Sequence, residues 1–219
     1  KGESVAIVGA TGAGKSSIIN LITRFYEFQD GDILIDGKDI RAIPTYQLRR
    51  HIAIVLQDAF LFSRSIADNI AMGNPNITKD KIAAIAHAIG AADFIEQLPK
   101  KYDTVLMERA SNISSGQKQL LAFCRALAAD PAILILDEAT SHVDTETEQL
   151  IEKSIETMLK GRTSIIIAHR LSTIQRADRI LVMHQGELRE QGTHQQLLAL
   201  GGIYAKLYRL QYQEIKGHS

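Results

Sequence analysis

Apolar runs of four or five residues recur along this chain, and each ends in a small, acidic or polar residue. Val5 to Val8, Ser164 to Ala168 and Arg179 to Met183 read as strands. Ile133 to Leu136 is aliphatic throughout, the pattern of a parallel strand covered on both faces. Between the runs the period changes. Ser17 to Ile22 predicts a helix directly after the first strand, Lys79 to Ile89 repeats apolar positions at helical spacing, and Gln119 to Leu127 is amphipathic. Two terminal helices are expected near Thr193 to Leu200 and Ile203 to Gln211. Asp32 to Asp39 alternates about Asp36-Gly37, a hairpin signal, and Gln185-Gly186 marks another turn. From about Asp58 to Ala110 strand signals are missing, and Pro75 and Pro99 punctuate helical patterns. The expectation is one α/β domain over 1–219, its core formed by 1–57 and 117–219 and its helical subdomain by 58–116. There is no internal repeat and no low-complexity stretch.

Composition narrows the classes. A chain of 219 residues with 45% hydrophobic positions fills one large core, or a core with a lobe. Its 25 basic residues balance 25 acidic ones, so no nucleic-acid footprint is visible. The lone Cys124 excludes an internal disulfide and sits in an apolar helical run, where it reads as core. No run approaches the roughly 18 apolar residues of a membrane span, and no signal peptide is seen. The chain starts at Lys1, without Met and close to the first strand, as an excised piece of a longer protein would.

Candidate chemistry begins at Gly9, Ala10, Thr11, Gly12, Ala13, Gly14, Lys15 and Ser16, which spell G-x-x-x-x-G-K-[ST] between a strand and a helix that continues with Ser17. Three glycines let backbone amides turn inward as an anion nest, and the helix points its positive end at the same place. Lys15 would reach the β and γ phosphates of a nucleotide, and Ser16 would offer a hydroxyl to Mg²⁺. A merely structural glycine turn would match this pattern by chance in about one such chain in a hundred, which leaves that reading little room. The run Ile133 to Leu136 ends in Asp137 and Glu138. Ligands of open α/β sheets bind at the strand C-terminal edge, so both carboxylates would face the phosphates. Asp137 then suits Mg²⁺ and Glu138 the deprotonation of an attacking water. An acidic pair ending a strand is common by itself; beside a phosphate loop it points to nucleotide hydrolysis.

Four further elements stand in a fixed order. Ile113 to Gln117 (ISSGQ) resembles the LSGGQ signature of the ATP-binding cassette (ABC) ATPases, Gln57 in IVLQDAFLF resembles their Q-loop, Ser141 to Asp144 (SHVD) their D-loop, and His169 after SIIIA their switch histidine. The similarity runs from Lys1 to about Gln213. It implies an α/β P-loop NTPase (RecA-like) core with an antiparallel β hairpin and an inserted helical subdomain that ends in the signature. It also implies ATP and Mg²⁺ as ligands, with Ser16, Gln57 and Asp137 around the metal and Glu138, His169 and Gln57 around the attacking water. Ser114, Ser115, Gly116 and Gln117 would serve the ATP of an opposite subunit, and Asp144 would lie at the dimer interface. Without the resemblance, Ser114 is an ordinary helix N-cap, His169 a packed polar residue and Gln57 a strand-end amide. In the family, the part upstream of such a chain holds two antiparallel strands and the aromatic residue that stacks on adenine.

QDAFLFSRSIADNI and RFYEFQDGDILIDGKDI resemble exporters, and Tyr102 to Arg109 takes the place of the exporter loop that touches transmembrane coupling helices. The departures fall in the signature: Ile113 replaces Leu, Ser115 replaces the first of two glycines, and QKQLLAFCRA replaces the usual basic continuation. Ser115 puts a side chain where backbone would approach a phosphate closely. A heterodimer with a mate carrying an intact LSGGQ is therefore preferred, slightly, over a homodimer. The expected function is ATP hydrolysis that powers export, at the cytoplasmic face of a membrane and together with transmembrane domains, with no nucleic-acid partner. The alternatives are a soluble cassette ATPase acting on nucleic acid or the ribosome, and a regulatory nucleotide sensor, against which Lys15, Asp137 and Glu138 speak.

Overall fold

The structure is a computed structural model that describes residues 1–138, 145–168 and 170–216. In chain order its elements are β1 (Ser4–Val8), α1 (Lys15–Ile22), β2 (Leu34–Ile35), β3 (Lys38–Asp39), α2 (Thr45–Arg50), β4 (Ile52–Val55), α3 (Ile66–Ala71), α4 (Lys79–Ile89), α5 (Ala92–Gln97), α6 (Ser115–Ala128), β5 (Ile133–Asp137), α7 (Thr145–Leu159), β6 (Thr163–Ile167), α8 (Leu171–Arg176), β7 (Arg179–His184), β8 (Glu187–Gly192), α9 (His194–Leu200) and α10 (Ile203–Lys216).

Six strands form one sheet in the order β4-β5-β6-β1-β7-β8, parallel except for the antiparallel β7-β8 pair. The aliphatic run of β5 is explained by its place inside this sheet. Leu134 and Leu136 face the apolar cluster of the helical insert, α6 and α7, while Ile135 between them joins Ile19, Ile40 and Leu48 of the opposite face. Alternate residues point to opposite faces, so a strand covered on both must be apolar throughout.

The insert shares the main core. Ile66, Ile70, Ile82, Ile89 and Ile95 pack in one continuous cluster with Leu121 and Phe123 of α6 and with Leu134, Leu136, Ile166 and Val182 of the sheet. The expected boundary near residue 116 falls in the first turn of α6, which packs against both α3/α4 and β4/α7. In the stretch expected to lack strands, Ser65 and Val105 form an isolated antiparallel bridge.

The hairpin turns where expected, with Asp36 and Gly37 both left-handed (φ 49° and 76°), as a two-residue primed turn requires. Its strands are two residues each, and the Arg41 guanidinium takes two nearby acids. It reaches Asp32 at 2.6 Å and Asp39 at 3.0 Å, and Asp39 also caps the short 3₁₀ turn over 40–42. α10 continues five residues beyond its expected end, to Lys216.

Candidate functional site

β1, β4, β5 and β6 run parallel, so the residues that follow their C-termini share one edge of the sheet. Gly9 follows β1, Gln57 stands two residues beyond β4, Asp137 ends β5 with Glu138 next, and Ala168 follows β6. The ladder continues past the strands: the Glu138 amide donates to the Ile167 carbonyl at 3.0 Å and the Ala168 amide to that of Ile7 at 3.2 Å.

The phosphate loop is shaped by backbone needs that only glycine meets at two positions. A Cβ at Gly9 (φ 155°) would collide with the carbonyl oxygen of Met183, beside the β7-β8 register shift. Gly14 (φ 98°) starts α1 from the left-handed region without a side-chain cap, so the first amides of α1 stay available. The β7-β8 turn braces the loop, the Gly186 amide donating to the Ala13 carbonyl at 3.1 Å. Ala10, Thr11, Gly12, Ser16 and Ser17 are exposed, and Ala13 is buried. Lys15 is buried and donates through Nζ to the carbonyls of Gly9 at 2.7 Å and Ala10 at 3.0 Å. Burial pulls its pKa down, and the nearby Asp137 carboxylate partly offsets that. The loop is therefore preformed, with its ammonium on two carbonyls and close to the acid of β5.

Glu138 is 4% exposed. The Thr173 hydroxyl donates to its Oε1 at 2.6 Å and the Arg170 amide to its Oε2 at 3.4 Å. Gln57 is exposed at the mouth of this edge. His169 and Asp144, expected as the switch and D-loop residues, lie outside the described residues.

Ser114 to Gln117 sit at the start of α6, away from these bonds. The Ser114 hydroxyl accepts from the Gln117 amide at 3.2 Å, and the Gln117 side chain accepts from the Ser114 amide at 3.0 Å, a closed capping box. Ser115 is exposed in the first turn and Gly116 is buried. Among the described residues no hydrogen bond links this helix start to the phosphate loop. Two of the exporter-like stretches, the one after Gln57 and Tyr102 to Arg109, come together: the Leu106 amide donates to the Arg64 carbonyl at 2.9 Å and the Ile66 amide to that of Thr104 at 3.0 Å. Around them Leu56, Phe60, Phe62, Val105 and Met107 are exposed, with Phe60 and Phe62 edge to face at 5.0 Å.

Residues 1–141 match the family described as "ABC transporter". The chain belongs to the ABC transporter family. ABC relatives cover nearly all of it. The chain is 51% identical over 96% of its length to a Bacillus subtilis protein named "Probable multidrug resistance ABC transporter ATP-binding/permease protein". It is 50% identical over 97% to an "ATP-dependent lipid A-core flippase" of Chromobacterium violaceum. Those matches span 31% and 36% of the relatives, so the chain spans about a third of the curated relatives it matches. A solved bacterial Atm1-family ABC exporter with ATP bound superposes with a TM-score of 0.88 at 47% identity, over 96% of this chain and 37% of that one. The chain thus has the fold of an ABC ATPase domain, and these relatives favour the exporter reading over the soluble one. Among the described residues no helix is long and apolar enough to cross a membrane.

Sequence reasoning missed Arg170 and Thr173, which donate hydrogen bonds to the Glu138 carboxylate. The only signal was weak: a Ser-Thr pair shortly after a strand-end histidine, on a helix too short to show a period. It also missed Arg125, whose guanidinium spans from α6 to the segment after Gln57.

Proposed function

We propose that this chain is the ATP-hydrolysing motor of an ABC exporter, acting at the cytoplasmic face of the membrane and coupled to transmembrane domains of the same transporter. The observation that carries this reading is the shared sheet edge, where a preformed phosphate loop with buried Lys15 meets the buried Glu138. Lys15 is held by two neutral carbonyl partners that the charged β and γ phosphates would replace. The free amides at the start of α1 add the positive end of the helix dipole, about half a charge. Glu138, held by donors on both oxygens, accepts the proton of the attacking water. Gln57 and His169 orient that water and the γ-phosphate.

The residues present fit Mg²⁺. Ser16 offers a hydroxyl at an exposed helix start, and Asp137 lies close enough to Lys15 to act on its charge. Among the described residues no group of three His, Cys, Asp or Glu side chains could hold a metal ion; the site proposed here would combine a hydroxyl, one carboxylate and Gln57 with the nucleotide and waters. Bound there, Mg²⁺ would neutralise charge on the phosphates.

The division of labour is a core of 1–57 and 117–219 with a helical subdomain of 58–116 that presents Ser114 to Gln117 to the nucleotide of a second such domain. Exposed Ser115 favours a mate with an intact LSGGQ, giving one strong and one weak site. The joined segments around Phe60, Phe62, Val105 and Met107 offer the apolar surface for the transmembrane domains. Nothing in the charge balance invites nucleic acid.

The test is Glu138→Gln. Loss of a general base costs ~10² to 10⁴ in rate, roughly 3 to 5.5 kcal/mol, so MgATP turnover should collapse while ATP binding persists. Turnover at the wild-type rate would refute the role. The solution mass of the same variant with MgATP separates the dimers: doubling would overturn an obligate heterodimer.

A further inference from the structure

The catalytic carboxylate is held by a segment to which no role has been attached. Thr173 is 8% exposed, and its hydroxyl meets Glu138 Oε1 at 2.6 Å, the short range of a charge-assisted O–H···O⁻ bond. A threonine has one hydroxyl proton, and here the carboxylate receives it. Its β-branched side chain is stiff about χ1, so the donor is aimed by the backbone of α8. The Arg170 amide, on the residue that caps the same helix, reaches the other oxygen.

α8 has only six residues and is fastened from outside. Glu148, Glu152 and Glu156 repeat every fourth residue along α7 and so share one face. Glu148 pairs with the Arg170 guanidinium at 3.0 Å, Glu152 accepts from the Ser172 hydroxyl at 2.6 Å, and Glu156 pairs with Arg176. The Arg170 side chain is 8% exposed while Glu148 is half exposed, so the first pair is anchored on its buried arginine end and open to water on the other. Thr173 lies in the middle of this row.

We propose that Thr173 is a positioning residue for the general base: its hydroxyl, on a helix pinned to α7 by three polar contacts, fixes the orientation in which Glu138 meets the attacking water. The proposal rests on the reading of Glu138 as that base.

The experiment measures steady-state MgATP turnover and ATP binding on the full-length polypeptide that carries this chain, as wild type, Thr173→Val, Thr173→Ser and Glu138→Gln. Valine keeps the shape and removes the hydroxyl. It should lower kcat on the order of tenfold while KM and ATP binding move less than about twofold. Serine returns the hydroxyl and should restore most of kcat. Four results would overturn the idea. Wild-type turnover in Thr173→Val beside a dead Glu138→Gln removes Thr173 alone. A faster Thr173→Val assigns the hydroxyl the opposite task, withholding the base. Equal losses in Val and Ser with matching drops in melting temperature reduce Thr173 to packing. Full turnover in Glu138→Gln instead removes the underlying reading of the base.

Discussion

Replacing Arg125 tests how α6 is joined to the segment that follows Gln57. From α6 its Nε donates to the Asn69 carbonyl at 2.9 Å, one terminal nitrogen to the Phe60 carbonyl at 2.7 Å, and the other to Asn69 Oδ1 at 3.1 Å. Asn69 is 1% exposed and passes the constraint on, accepting from the Phe62 amide at 2.8 Å and donating to the carbonyls of Phe62 and Ser65. Burial pulls the Arg125 pKa down, so the charge is held at a desolvation cost that these bonds offset. Arg125→Met keeps most of the apolar stem and removes the fork. A bond from a charged donor contributes about 1.5–3 kcal/mol, and the one to Phe60 faces solvent and counts for little. After crediting the relieved desolvation, the net loss is about 2–3 kcal/mol. In a protein of this size that is a fall of roughly 4–12 °C in Tm. Arg125→Lys should do no better, since a point charge cannot make three bonds in one plane. Scanning calorimetry reads the shift, and trypsin reads the exposed Arg64 next to the clamp. A Met variant within about 1 °C of wild type, or full rescue by Lys, would refute the clamp.

Gly9→Ala drives a Cβ into the Met183 carbonyl, whereas Gly12→Ala meets open space and carries backbone strain alone. The first should cost about 1–3 kcal/mol more than the second and weaken nucleotide binding more, and equal melting temperatures would contradict the close approach. Cys124 is 0% exposed with its thiol pushed up to about 12, so at pH 8 its thiolate is on the order of 10⁻⁴ of the total and a disulfide reagent should label only unfolded protein. Its pKa is raised above the ordinary 9.0, so the unfolded chain gives up this proton first and stability falls as pH rises past 9; Cys124→Ala should flatten that limb in urea melts.

What was legible in the chain is what is encoded by neighbours. The phosphate loop puts its glycines, lysine and hydroxyl into eight consecutive residues, and β5 announces its two covered faces by four aliphatic residues in a row. β8 could not be seen that way. Its ELREQG is almost wholly polar, and it is a strand because the Gln185-Gly186 turn, left-handed at both residues, folds it back onto β7 at the sheet edge. The hairpin was legible from its alternation and turns at Asp36-Gly37 as expected, but how far its strands pair, two residues each, could not be read from the period.

The same division runs through the site. Asp137 and Glu138 are found from sequence because they end a strand; what holds Glu138 is found only in the fold, since Thr173 lies 35 residues away and Glu148 meets Arg170 across 22. A side chain at the end of a strand is placed in position by the ladder, but its χ angles are not, and a buried carboxylate without fixed donors would be both costly and misaimed. The donors therefore have to come from an element outside the strand. α8 is too short to be stable alone, so it borrows rigidity from α7 through contacts one helical turn apart. If Glu138 is the base, as proposed, its aim is set by helix-on-helix contacts beside the sheet. A substitution such as Glu148→Gln, which touches neither nucleotide nor water, should then act on catalysis through Arg170 and Thr173.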